Sequence, residues 1–291
     1  MLLVTGATGT IGRPLIDILV NQGAKVRAVS HNPKAANLPA GVEVVEGDLS
    51  RPVTIAPLLD GVTALFLHPR AVGLAAGELL GLAREKGVQR VVALSATNVD
   101  DPLDEQPSRY QGDRNKEVED AAVASGLAWV SLRASSFAAN TLRTWGAQLR
   151  AGDVVRYPYA SFAEALIHER DLAEVIAHAL GSDALVARRG RRRELTGPQS
   201  LTHQQLVATI GEVLGRPLRY QELPPEVAKQ GMVQQGIPEA FVQALMARYA
   251  REVGQPAPVT GEVERVLGRP VRTYAEWVAD HAAAFRNEQQ Q

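Results

Sequence analysis

Three glycines within the first dozen residues constrain this chain more than anything that follows them. Leu2–Thr5 (LLVT) reads as a short buried strand, Thr5–Gly12 (TGATGTIG) follows it directly, and a helical pattern covers Ile11–Gln22 and stops at Gly23. A strand, a tight glycine turn and a helix open a βαβ unit. In such a turn each glycine has its own role: Gly6 for the bend, Gly9 for the approach of a pyrophosphate to the backbone, Gly12 for close packing of helix on strand. The helix start then offers free N–H groups and a partial positive charge to that pyrophosphate. Gly6, Thr8, Gly9, Thr10, Ile11 and Gly12 are therefore the first candidate cofactor-binding residues. A glycine triplet alone says little, but in this position it points to a dinucleotide site. The bland alternative is a tight turn in an α/β fold that binds nothing.

The rest of the first half repeats the pattern. Strands are expected at Lys25–Val29, Val42–Glu46, Ala64–Leu67, Arg90–Leu94 and Ala128–Leu132. Helices are expected around Val53–Leu59, over Leu74–Lys86 before Gly87, and from Ser108, where Ser108-x-x-Gln111 has capping-box spacing, to Gly126. Strands alternating with helices predict an α/β fold, a Rossmann-type doubly wound parallel sheet. The second half changes character. Strand-like pieces at Val154–Tyr157 and Ala165–His168 lead to a helix over Asp171–Leu180. The arginine-rich Arg188–Arg193 reads as a solvated loop before a strand ending at Leu195–Gly197. Thr202, with Gln205 three residues on, reads as a helix cap. Further helices are expected at Pro225–Gln230, Glu239–Val253, Gly261–Leu267 and Tyr274–Phe285. The expected division is a Rossmann domain over 1–150, with 160–182 returning to its sheet, and a smaller, mainly helical substrate-binding subdomain over 183–291.

Composition narrows the partners. With 31 Lys+Arg against 32 Asp+Glu, the formal charge of −1 gives no global case for nucleic acid or an anionic membrane. No apolar run nears the roughly 18 residues of a membrane span. The first strand starts at Leu2, which leaves no room for a signal peptide. With no cysteine, thiol catalysis, disulfides and Cys zinc sites are excluded. The six scattered histidines suggest no metal site. The expectation is a cytoplasmic protein, monomer or homodimer, acting on a small molecule.

Beyond the glycine loop, VRAVSHNP (Val26–Pro33), VEGDL (Val45–Leu49), SGLAWVSLRASSFAAN (Ser125–Asn140), HERDLAEV (His168–Val175) and LTGPQSLT (Leu195–Thr202) carry a family resemblance over nearly the whole chain. They resemble the atypical short-chain dehydrogenase/reductases, in particular the NmrA-like proteins and related NADPH-dependent quinone reductases. Ser131 and Ala134 stand where that family usually has Thr and Pro, and His31 stands where it often has Arg. The resemblance implies NADPH as cofactor, Asp48 and Leu49 beside its adenine, Phe137 and Asn140 near nicotinamide and substrate, and a structural junction at His168 and Asp171.

An acid after the second strand would hold a ribose 2′-hydroxyl and repel a 2′-phosphate. Here Ser30-His31-Asn32-Pro33-Lys34 carries none. His31, Asn32 and Lys34 are thus candidate 2′-phosphate contacts, and NADP(H) is favoured over NAD(H). An ordinary polar turn is the alternative, as is a simple capping role for Asp48. Leu67, His68 and Ser95 end strands four and five, where open parallel sheets border their ligand crevice.

The proton donor is the open question. Typical short-chain reductases place Tyr and Lys four apart on one helix. Here Tyr110 and Lys116 are six apart, a rotation of about 240° on a helix, so they share no face. Two readings of Lys116 stand: an active-site lysine that binds cofactor or donates a proton, or a surface residue paired with Asp113, Glu119 or Asp120. Tyr110 as acid lacks its activating partner. Hydride transfer belongs to the nicotinamide itself, and a quinone-type acceptor takes its proton from water. The expected function is reduction of a carbonyl or quinone-like small molecule. A non-catalytic NAD(P)-sensing regulator is the alternative, and a redox-neutral epimerase or lyase a third reading.

Overall fold

A computed structural model describes residues 1–182 and 191–286. In the first half β1 (Leu2–Val4) leads through the glycine loop to α1 (Gly12–Asn21) and β2 (Val26–Ser30). β3 (Glu43–Glu46), β4 (Ala64–Leu67), α2 (Pro69–Val72), α3 (Ala76–Glu85), β5 (Arg90–Ala96), α4 (Asn115–Ala124) and β6 (Ala128–Ala134) follow. The second half carries α5 (Asn140–Thr144), α6 (Gly146–Ala151), β7 (Val154–Tyr157), β8 (Ala163–Glu164), α7 (Glu169–Gly181), β9 (Arg191–Leu195), β10 (Leu201–Thr202) and α8 (His203–Leu214). It ends in β11 (Arg219–Glu222), α9 (Pro225–Gln234), α10 (Glu239–Glu252), α11 (Glu262–Leu267) and α12 (Tyr274–Asp280).

Seven strands form one sheet in the order β3-β2-β1-β4-β5-β6-β9, every pair parallel. Parallel sheets are buried on both faces, which is why their strands are continuously apolar. Leu3, Leu65, Leu67, Val91 and Ala93 face one layer, packing with Ile55 and Leu59, with Leu79 and Leu80 of α3, and with Val118 of α4. Their neighbours Val4, Phe66, Val92 and Leu94 face the other, packing with Ile11, Leu15, Ile16 and Leu19 of the first helix and Leu172, Val175 and Ile176 of α7. The sequence order reverses between β1 and β4, which sets a topological switch point there.

A third core lies outside the sheet. Trp145, Leu149, Val155, Tyr157, Phe162, Leu206, Ile210, Val242, Tyr249, Trp277 and Phe285 cluster among α6, β7, α8, α10 and α12. Two short ladders support it, β7 parallel to β11 and β8 antiparallel to β10. The Thr202 cap is a full capping box with Gln205, as the spacing required. Among the described residues no helix is long and apolar enough to cross a membrane.

Several local expectations are corrected. Ser108–Gln111 is not a capping box: Pro107–Gln111 is a separate 3-10 turn without a side-chain cap, Gly112 reverses the chain with φ +98°, and the α-helix begins only at Asn115. The segment at Val53–Leu59 is a 3-10 helix containing Pro57. The strand expected at Ala165–His168 shrinks to Ala163–Glu164 plus one bridge, Phe137 to Ile167. The last helix breaks at His281 into α12 and a 3-10 turn, Ala282–Phe285. Of the arginine run, residues 188–190 lie outside the described residues. Arg191–Arg193 are not loop but the start of β9 itself.

The arginines of β9 work as ion-pair donors. The Glu119 carboxylate of α4 accepts from Ser131 Oγ (2.6 Å), from Arg133 Nε (3.1 Å) and Nη2 (2.7 Å), and from Arg192 Nε (2.6 Å). Burial alone would raise its pKa, but these donors win and hold it at about 2. Arg133 also reaches Asp100, at 2.7 and 3.2 Å.

Candidate functional site

Thr5 holds the switch point together. Its hydroxyl donates to the Phe66 carbonyl (2.9 Å) and accepts from the His68 amide (2.8 Å), stapling the carboxyl end of β1 to that of β4. The chain then turns at Gly6, where φ is +65° and an added Cβ would lie 2.9 Å from His68 Cβ. Gly9 donates its amide to the Gly6 carbonyl (3.0 Å). Gly12 sits so tightly that a Cβ there would meet the Gly6 oxygen at 2.1 Å. The positive φ demands glycine at position 6, and at position 12 no side-chain shift could relieve the clash with backbone. The loop is compact and Thr8, Gly9 and Thr10 lie open on its surface.

The first helix starts at this loop with no side-chain cap and no acid in its first turn. The Arg13 amide is taken by the Gly9 carbonyl (3.1 Å) and Pro14 has no N–H, so within the first turn it is the Gly12 amide that is left to face solvent or an anion. Ile11 and Gly12 are otherwise buried beneath the loop. The backbone so presented fits a dinucleotide pyrophosphate: open glycine surface, two threonine hydroxyls, a helix N-terminus and no competing carboxylate.

The next loop lies after β2. His31, Asn32 and Lys34 are all exposed. Asn32 Oδ1 caps the 3-10 turn Pro33–Ala35 by accepting from the Ala35 amide (3.3 Å). Arg13, which the sequence reading passed over, joins this loop to the glycine loop. Its guanidinium donates to the carbonyls of Thr8 (Nε, 3.1 Å), Asn37 (Nη1, 2.9 Å) and Ala36 (Nη2, 3.1 Å). A signal was present: a cation in the first turn of a helix opposes the helix dipole, so its side chain needs another partner. After β3, Asp48 accepts from the amide (2.9 Å) and hydroxyl (2.6 Å) of Ser50, which keeps its carboxyl below the usual range. Leu49 is buried in the adjacent core.

On the other side of the switch point, Leu67 is buried at the end of β4, and His68 follows it. His68 Nδ1 accepts from the Arg70 amide (3.3 Å), which leaves the ring proton on Nε2. Burial pushes this imidazole below its ordinary pKa, so it is neutral near pH 7. Ser95, near the end of β5, is buried, and among the described residues its hydroxyl has no hydrogen-bond partner.

The two acid candidates are not brought together. The Tyr110 hydroxyl donates to the Asp104 carbonyl (3.1 Å) on an exposed turn. Lys116 Nζ lies 2.5 Å from both carboxylate oxygens of Asp120, four residues on, with a side chain 38% exposed. These contacts match the surface pairing weighed for Lys116.

Past the end of β6, Phe137 is half-buried and Asn140 opens α5. Asn140 lines a recess of about 20 Å³, the size of one water, with Trp145, Glu164, His203 and Tyr249. Trp145 Nε1 is buried there without a partner among the described residues. Burial lowers the pKa of His203 and raises that of Tyr249, so both are neutral near pH 7. The His168 imidazole caps α7 through the Arg170 amide (3.1 Å), and buried Asp171 pairs with Arg269 (2.6 Å) and Arg272. Both therefore serve the junction between sheet and C-terminal region.

Comparison with known proteins gives a consistent set. A model of the NmrA-like family matches residues 1–276. The (4-alkanoyl-5-oxo-2,5-dihydrofuran-3-yl)methyl phosphate reductase of Streptomyces griseus is 33% identical over 295 residues, 99% of this chain and 100% of that protein. The NAD(P)H azoreductase of Xenophilus azovorans is 32% identical over 294 residues, 98% of this chain and 99% of that one. Among solved structures, an NADPH-dependent quinone oxidoreductase of Escherichia coli in complex with NADPH superposes with a TM-score of 0.81 at 23% identity. It covers 97% of this chain and 100% of that chain. That likeness is one of fold.

Proposed function

The chain belongs to the NmrA-like family, and from that premise we propose the reaction its crevice performs. It is an NAD(P)H-dependent oxidoreductase acting on small molecules, as its full-length reductase relatives indicate. The observation that carries the reading is the glycine loop at the switch point: bare of carboxylates, without a side-chain cap, and closed tightly by Gly6 and Gly12, with Thr8, Gly9 and Thr10 open on its surface. Gly6, Thr8, Gly9, Thr10, Ile11 and Gly12 hold the pyrophosphate. Asp48 and Leu49 flank the adenine, and Leu67, His68 and Ser95 line the wall toward the nicotinamide. His31, Asn32 and Lys34 favour NADP(H), because no acid among them repels a 2′-phosphate. When bound, the dinucleotide supplies a hydride, which the chain itself has no redox group to provide.

The substrate side lies between the end of β6 and the C-terminal helices, with Phe137 and Asn140 at its edge. Neither Tyr110 nor Lys116 offers the chemistry of an activated acid, since each is engaged by a surface partner. A conjugated acceptor suits such a site: a quinone or an activated alkene takes hydride first, and its anion then takes a proton from water. We assign the protein to the cytoplasm, as a monomer or homodimer that works on small molecules rather than nucleic acid.

The test is NADPH oxidation, followed at 340 nm, against a panel of quinones, enones and simple ketones. Turnover of quinones and enones with little on ketones is expected. Tight NADPH binding with no turnover on any acceptor would refute the reductase reading and favour the sensor.

A further inference from the structure

Arg13 is the second residue of α1, where the helix dipole disfavours a positive charge. Among the described residues it forms no salt bridge. It is anchored instead by three carbonyls drawn from two loops, Thr8 from the glycine loop and Ala36 and Asn37 from the loop after β2. Asn37 is itself held in the left-handed region at φ +46°, a conformation a non-glycine residue adopts at some cost. A guanidinium has five N–H donors, and three are used, which leaves one on each terminal nitrogen. The result is a fixed, uncompensated cation with one spare N–H on each terminal nitrogen. It lies between the loop that faces a pyrophosphate and the loop that faces a ribose. Arginine suits phosphate because its planar fork matches two phosphate oxygens at once.

We propose that Arg13 selects NADP(H): it locks the ribose-side loop onto the glycine loop and offers its remaining N–H groups and charge to the 2′-phosphate. This supplies from α1 the guanidinium that His31 does not provide after β2. The inference rests on the reading of the crevice as a dinucleotide site.

The test is calorimetric titration of wild type, Arg13→Ala and Arg13→Lys with 2′,5′-ADP, 5′-AMP, NADPH and NADH, with thermal melting of each variant as a control on folding. Wild type should prefer 2′,5′-ADP to 5′-AMP. Arg13→Ala should bind the two 2′-phosphate ligands roughly 10-fold more weakly, the scale of a hydrogen bond to a charged group, while 5′-AMP and NADH change less than about threefold. Arg13→Lys keeps the charge but cannot span three carbonyls, so its discrimination should fall between the two. Equal losses for ligands with and without the 2′-phosphate would reduce Arg13 to a structural clamp and overturn the proposal. So would undiminished discrimination in either variant. Failure of wild type to bind any of the four ligands would instead overturn the site itself.

Discussion

Glu119 offers a quantitative test of how β9 is held to the sheet. Its side chain is 3% exposed and accepts four hydrogen bonds from Ser131, Arg133 and Arg192. Glu119→Gln keeps the shape and removes the charge. A carboxylate held at about 2, against an ordinary 4.5, contributes about 3 kcal/mol of stability through proton linkage. Removing one partner of a buried ion pair costs about 3–5 kcal/mol by an independent route, so the two estimates overlap. The cost should sit at the low end, because Arg133 retains Asp100 and the half-exposed Arg192 can return to water. The sign follows from the depressed pKa. The stabilisation is complete above pH 4.5 and is lost as pH falls toward 2. Urea unfolding of both proteins from pH 7 to pH 2 should therefore show a gap of about 3 kcal/mol at pH 7 that closes toward pH 2. A gap below about 1 kcal/mol at pH 7, or one independent of pH, would refute the reasoning.

Three further outcomes are expected. Gly12→Ala forces a methyl group to 2.1 Å from the Gly6 oxygen, so it should lose at least about 1–3 kcal/mol and more than 10-fold in NADPH affinity, read by melting and fluorescence titration. Normal binding would show that the loop is not closed as described. Lys116→Ala and Tyr110→Phe should each keep turnover within about threefold of wild type, since general acid catalysis is worth at least about 100-fold; a drop on that larger scale would assign the residue a proton role. Thr202→Ala removes half of a capping box and should cost about 1 kcal/mol while leaving cofactor affinity unchanged.

The parts legible in the sequence were those set by neighbours along the chain. The inner strands β1, β4 and β5 carry apolar runs because both of their faces are covered, and the glycine loop is a local geometry spelled in eight residues. The Thr202 cap was legible for the same reason. Ser108 misled because its spacing is right, but Pro107 opens a 3-10 turn and Gly112 breaks the chain before any α-helix starts. What stayed hidden depends on pairing across sequence distance. Nothing near Arg191–Arg193 says that a strand there will lie beside β6 and meet a carboxylate 73 residues earlier. Arg13 likewise gains meaning only when Ala36 and Asn37 arrive beside it. Of the residues expected in the crevice, those of the glycine loop and His68 meet at one place because Thr5 staples their strands, whereas Tyr110 and Lys116 lie on either side of the break at Gly112 and are held by separate partners, Asp104 and Asp120.

The covering of α1 has a consequence for how the chain is made. β1 and its loop emerge first, yet the helix that packs beside α1 on the same face of the sheet is α7, some 150 residues later, and the edge strand β9 comes later still. A nascent chain ending at residue 150 would thus carry a finished glycine turn on a sheet whose α1 face lacks the cover of α7. Contacts closed over such long loops form slowly. The layer that covers α1 is therefore closed only once residues up to 181 have been made, and the sheet's β9 edge only after that.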